Sequence, residues 1–130
     1  MVEFSSLKTS EQSKILRDFL KKQRFLKGRL EAEKDRRGIG NIEQQRIISK
    51  FQTHIDIMSI AMQDLEPIER YVIEQSYYEC FKHKDIAKRL NGDIKIIGKI
   101  SSNALKKIRI NLCNMSIGIE LDNKDKKGTT

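Results

Sequence analysis

The sequence predicts an all-α protein, with a long N-terminal helical hairpin followed by a C-terminal helix-turn-helix. Three observations predict it. One Pro and seven Gly in 130 residues are too few for a chain of many turns, which argues against an all-β fold. Apolar residues recur at alternating spacings of three and four through two long stretches, the period of an amphipathic helix. Between Leu65 and Ile108 the turn residues divide the chain into three short helical segments, the last two joined by Asn91-Gly92-Asp93. Two short helices joined by a Gly-containing turn of three or four residues form a helix-turn-helix, whose second helix is shaped to enter a DNA major groove.

Taken in order, Met1 to Thr9 is expected to be loose, with Val2, Phe4 and Leu7 as docking side chains. Ser10 is expected to cap the first long helix, and Glu11 in its first turn suits the positive end of the dipole. Leu16, Phe19, Gln23, Leu26 and Leu30 then form an apolar stripe with one polar interruption, while Lys14, Arg17, Lys21, Lys22, Arg24, Lys27 and Arg29 occupy the other faces. The helix should fade near Arg37, because Gly38-Ile39-Gly40 follows.

Asn41 is a suitable cap for the second helix, with Glu43 in its first turn. Ile48, Phe51, Ile55, Met58, Met62 and Leu65 make an unbroken heptad seam, widened by Ile47, Ile57, Ile60 and Ala61. So wide a face calls for more than one partner surface. Two arrangements satisfy it. Either the helices fold back at Gly38 to Gly40 and pack on the C-terminal module, or one of them also pairs with a second chain in a homodimer.

Pro67 lacks an N–H and fits a first helical turn, so a boundary belongs there. Ile68, Tyr71, Val72 and Gln75 should lie along one side of the helix from Pro67 to Glu79, with Tyr78 a turn further on and Glu69, Glu74 and Glu79 facing elsewhere. The next helix, about Lys82 to Leu90, offers Ile86, Ala87 and Leu90 to the interior. Asn91-Gly92 can adopt left-handed conformations, and Asp93 can cap the last helix, about Ile94 to Ile108. There Ile97, Ile100 (or Ser101), Ala104, Leu105 and Ile108 should point inward. Gly98 either permits a close backbone approach or is a tolerated defect costing about 1 kcal/mol relative to Ala. From Asn111 onward, Met115, Ile117, Ile119 and Leu121 alternate with polar residues, as in a small strand or an extended docking segment, and Asp122 to Thr130 reads as a disordered tail. The division is thus 1–65, a scaffold or dimer handle; 66–112, the helix-turn-helix module; and 113–130, a docking segment and tail.

Charge points to the partner. The chain carries 26 Lys+Arg against 18 Asp+Glu, a net +8. From Lys82 to Arg109 there are nine basic residues and two acidic ones, so +7 of that charge lies in 28 residues. Segregation of this kind favours a polyanionic partner such as double-stranded DNA. On the last helix Lys95, Lys99, Ser102 and Asn103 are the candidates for base edges. Lys82, Lys84, Lys88, Lys106 and Lys107 are the candidates for phosphates.

Other classes find little support. No Gly-rich phosphate loop, GxSxG or HExxH is present, so no enzyme is expected. Cys80 and Cys113 are unclustered and His54 and His83 far apart, so no metal site and no cofactor is expected. No stretch approaches the ~20 apolar residues of a membrane span, and Met1 to Ser10 lacks the pattern of a signal peptide. A cytoplasmic protein is the expectation.

Tyr78-Glu79, then Asp85-Ile86-Ala87, Leu90, Asp93 and Ala104-Leu105-Lys106-Lys107-Ile108, resembles region four of bacterial sigma factors and their relatives. Cys80 stands where that pattern usually carries Gly, Lys82 where a Ser or Thr cap is common, and Ile96-Ile97 where Thr-Val is usual. With the helical region before it, the chain is similar to small phage late-gene regulators of the ArpU and RinA type. That resemblance implies a DNA-binding transcriptional activator of a phage or prophage, acting in the cytoplasm of a bacterial host. It also leaves two alternatives, a module that engages host RNA polymerase and a small terminase-like packaging subunit.

Overall fold

The computed structural model describes residues 2–35 and 42–119. The expected helix end near Arg37, the turn at Gly38 to Gly40, the cap at Asn41, and Leu121 with the tail lie outside them. The described residues are mostly helical, in the order β1 (Val2–Glu3), a 3-10 turn (Phe4–Ser6), α1 (Thr9–Asp35), α2 (Ile42–Ala61), α3 (Pro67–Ile73) widening into a π turn (Glu74–Tyr78), α4 (His83–Arg89), α5 (Ile94–Asn114) and β2 (Gly118–Ile119). The fold is all-α apart from the two-residue pair β1–β2. Among the described residues no helix is long and apolar enough to cross a membrane.

The N-terminal segment, expected to be loose, is docked. Val2 pairs with Ile119 and Glu3 with Gly118 in antiparallel register, and the Phe4 N–H donates to the Ile117 carbonyl at 2.8 Å. Phe4 is fully buried, worth about 2 kcal/mol of apolar burial. Behind it Gln12, buried on α1, donates through Nε2 to the carbonyls of Phe4 (2.9 Å) and Leu7 (3.0 Å). Ser10 is not the cap. The Gln12 N–H bonds back to the Lys8 carbonyl, so α1 has already begun at Thr9.

α1 and α2 run antiparallel. The Phe19 and His54 rings meet edge to face at 4.5 Å, and near the other end Gln44 Nε2 donates to the Glu33 carbonyl at 2.9 Å. Leu16, Gln23, Leu26 and Leu30 are buried as the stripe requires. Leu20 is fully buried and Phe19 only half, because α5 and the π turn also pack on α1. α2 ends at Ala61, short of the expected seam: Met58 on α2 and Met62 and Leu65 just beyond it are buried, while Ile48, Phe51 and Ile55 are half-buried. Of the widening row Ala61 is buried, Ile47 and Ile57 are half-buried, and Ile60 is 55% exposed.

Side chains from the C-terminal helices cap the end of α2. Asn111 Nδ2 donates to the Ala61 carbonyl (2.9 Å) and to Asp64 Oδ1 (2.7 Å), and Arg70 Nη2 donates to the Met62 carbonyl (2.8 Å). The Ala61 carbonyl at the helix end is thereby satisfied, the Met62 carbonyl gains a donor beside the Leu65 N–H (3.2 Å), and the module is tied to its scaffold.

Two apolar clusters fill the interior. The larger joins Phe4, Leu16, Leu20, Met58, Ala61, Met62, Leu65, Ile73, Ala104, Ile108 and Leu112. The smaller holds Val72, Ile86, Ala87 and Ile97, with Tyr71, Phe81 and Ile100 against it. Residues before and after 65 therefore share the larger cluster. α5 serves both, through Ile97 at its start and Ala104, Ile108 and Leu112 further on. This explains why it continues past Ile108 to Asn114, about 32 Å in all. Its second half is the lid under which Phe4 docks.

Three further expectations change. On α3 the inward face is Glu69, Val72 and Ile73, so Ile68 is 41% exposed and Glu69, expected outside, is buried. The helix from Pro67 to Glu79 is α-helical only to Ile73 before it widens. Leu90, expected inside, is 38% exposed because it stands at the C-cap of α4, where the chain already turns away.

Candidate nucleic-acid interface

The turn between α4 and α5 sets the geometry. The Gly92 N–H donates to the Ala87 carbonyl at 2.8 Å and the Asn91 N–H to Lys88 at 3.3 Å, with Asn91 left-handed at φ 52°. This is a Schellman ending, in which Asn91, and not Gly92, supplies the positive φ. Asp93 then caps α5, its Oδ1 accepting the Lys95 N–H at 3.0 Å. Three residues thus stop one helix and start the next at a fixed angle.

The outward side of α5 carries Lys95, Lys99, Ser102 and Lys106 at spacings of four, three and four, so they share one face. Asn103 lies one position around from Ser102. All five are exposed, and among the described residues none of these side chains is tied to another residue. Ile94 (49% exposed) and Ile96 (55%) flank the first turn, where they could meet a thymine methyl. Lys82, the N-cap of α4, and Lys84 and Lys88 within it are exposed as well. Lys84 and Lys88 line a shallow depression with Asn91, Gly92 and Ile94.

Two basic side chains of the segment are occupied within the module. Lys107 Nζ sits 2.7 Å from the buried Glu69 Oε1, which also accepts the Glu66 N–H at 2.9 Å. The Lys107 hydrogen bond, helped by the Glu66 N–H, holds the Glu69 carboxyl below its usual range against opposing desolvation, and the same bond raises Lys107. Arg89 lies over the Phe81 ring, 3.9 Å from its centroid, and donates to Gln75 Oε1 at 3.2 Å. Both fasten the module internally.

The structure adds residues from outside the module. Beside the second half of α5, Ser13 and Arg17 of α1 line a groove of about 280 Å³ with Ser102, Lys106 and Arg109, its apolar part being Leu16 and Leu105. Arg109 Nη1 donates to Gln12 Oε1 at 3.1 Å. From sequence Arg17 is one of several residues on a basic face of α1 that could touch DNA phosphates, and nothing local shows that Arg109 meets Gln12, 97 positions away.

Gly98 approaches no neighbouring element, for a Cβ there would meet nothing within 4 Å. Cys80 and Cys113 are free thiols, and among the described residues no group of three or more His, Cys, Asp or Glu could hold a metal. No protein-family profile, curated protein or solved structure matches the chain.

Proposed function

We propose that the protein is a sequence-specific regulator of transcription that binds double-stranded DNA and reads the major groove with α5. The observation that carries this reading is the row Lys95, Lys99 and Ser102, with Asn103 beside it, on the first turns of a helix that follows a tight turn from α4. Unpaired lysines held on a rigid helix suit guanine O6 and N7, and Asn suits adenine. Exposed Lys82, Lys84 and Lys88 supply the phosphate contacts that fix register without reading sequence. Lys107 drops out of that set because Glu69 holds it.

The finer reading, an activator of phage or prophage late genes, rests on the resemblance to sigma region four and to ArpU- and RinA-type regulators. The half-buried row Ile48, Phe51 and Ile55 favours a homodimer through α2, which would bring two reading helices to one site. Selection of bound DNA from a random pool tests the proposal. A recurrent site is expected, and a palindrome with half-sites one helical turn apart would report the dimer. A pool that shows no enrichment after selection would refute the sequence-specific reading.

A further inference from the structure

We infer that α1 belongs to the DNA interface, with the groove between α1 and α5 seating a backbone phosphate on Arg17, Lys106 and Arg109. The inference rests on the DNA-binding reading and extends it to a helix outside the helix-turn-helix. The groove is lined by two arginines, a lysine, two serines and two leucines, and by no carboxylate. Among the described residues Arg17 and Lys106 have no ion-pair partner.

Arg109 is aimed. Gln12 is buried, and its Nε2 is committed to the Phe4 and Leu7 carbonyls, so its Oε1 is turned toward Arg109 and accepts one guanidinium N–H. The remaining N–H groups of that fixed fork are left for an anion. Docking of the first seven residues thereby orients a basic side chain at the other end of the chain.

Dimensions decide between base and phosphate. Lys95, Lys99, Ser102, Lys106 and Arg109 follow one face of α5, and from Lys95 to Arg109 that face runs about 21 Å. A major groove is about 12 Å wide, so a helix whose start lies among the bases has its later turns at the flanking backbone. There α1 already stands beside α5, and Arg17 meets the same strand.

The test compares full-length variants on a fluorescent mixed-sequence duplex of about 24 base pairs, titrated from about 50 to about 300 mM KCl. Arg17→Gln/Lys106→Gln should weaken binding about tenfold or more and make the slope of log affinity against log salt shallower by about 1.8, two phosphate contacts. Arg109 is spared because its loss would also disturb Gln12. Lys34→Gln, about 26 Å further along α1, should change neither quantity. If Arg17→Gln/Lys106→Gln keeps the wild-type slope while Lys95→Gln/Lys99→Gln loses affinity, the groove is no phosphate seat and the DNA reading stands. If the wild type binds no duplex, both fail. Titration of inorganic phosphate against the wild type, read by the Arg17 and Arg109 side-chain NMR signals, separates the sources. Strong shifts at micromolar phosphate, with the DNA slope unaltered by the substitutions, would assign the groove to a free anion and overturn the inference.

Discussion

Lys107 Nζ lies 2.7 Å from Glu69 Oε1, an ion pair between α5 and the start of α3 in which the carboxylate is buried and the ammonium partly open. A residue that sequence alone assigns to phosphate is therefore part of the framework. Lys107→Ala is expected to lower the urea midpoint while leaving the salt dependence of DNA binding unchanged. The sign follows from linkage. Glu69 is depressed, so its share of stability is present above the ordinary carboxylate value and lost as pH falls through the folded value. Lys107 is raised, so its share is present below its ordinary value and lost as pH rises through the folded one. The difference between wild type and Lys107→Ala should thus be flat near neutrality and shrink at both extremes. A shallower salt slope in the variant would return Lys107 to the DNA-binding set.

Cys80 has φ 60°, an exposed left-handed residue between the π turn and α4. Its neighbour Phe81 closes the turn by donating to the Gln75 carbonyl at 2.8 Å. Glycine adopts this conformation without the Cβ penalty, so Cys80→Gly should raise stability by about 1 kcal/mol, whereas a β-branched Cys80→Val should lower it. Chemical denaturation of the two variants checks the pair, and equal midpoints would mean the left-handed backbone costs nothing there.

Gly98 occupies the second turn of α5 with open space around a prospective Cβ. Gly98→Ala is expected to gain about 1 kcal/mol and to shift Tm up by a few degrees. DNA affinity should stay within about twofold, since the helix face proposed to read bases keeps its side chains. Loss of affinity in a stabilised variant would show that the DNA backbone comes against Gly98.

His54 is half-buried, its ring edge-on to Phe19, and Nε2 is buried without a hydrogen-bond partner. Desolvation, with a contribution from Lys22, lowers its pKa. A lowered base takes its proton more readily when unfolded, so stability should decline as pH falls below about 6.5 until the folded ring also protonates. His54→Gln should flatten that part of the pH profile. An unchanged profile would mean that other groups govern it.

Local signals made much of this architecture legible. Pro67 marked the start of α3, Asp93 capped α5 as its position required, and the helical period of α1 and α2 held over their length. The inward face of α5 was readable because Ile97, Ala104 and Ile108 obey one spacing. What stayed hidden depends on partners distant in sequence. Phe4, expected to dock, has its seat under α5, Arg109 meets Gln12 across 97 positions, and Lys107 finds Glu69 across 38. An exposed Leu90 and a buried Glu69 likewise follow from how the elements cross, which no helical period records.

The most direct measurement is the affinity of Lys99→Ala/Asn103→Ala for a duplex recovered by selection, set against a scrambled duplex of equal length. Both side chains are exposed on α5 and support no other residue, so the fold should be unaffected. Each base contact is worth about 1–3 kcal/mol of discrimination. The variant should therefore lose at least about tenfold on the selected duplex and little on the scrambled one. Undiminished preference for the selected duplex would contradict the assignment of α5 as the reading helix.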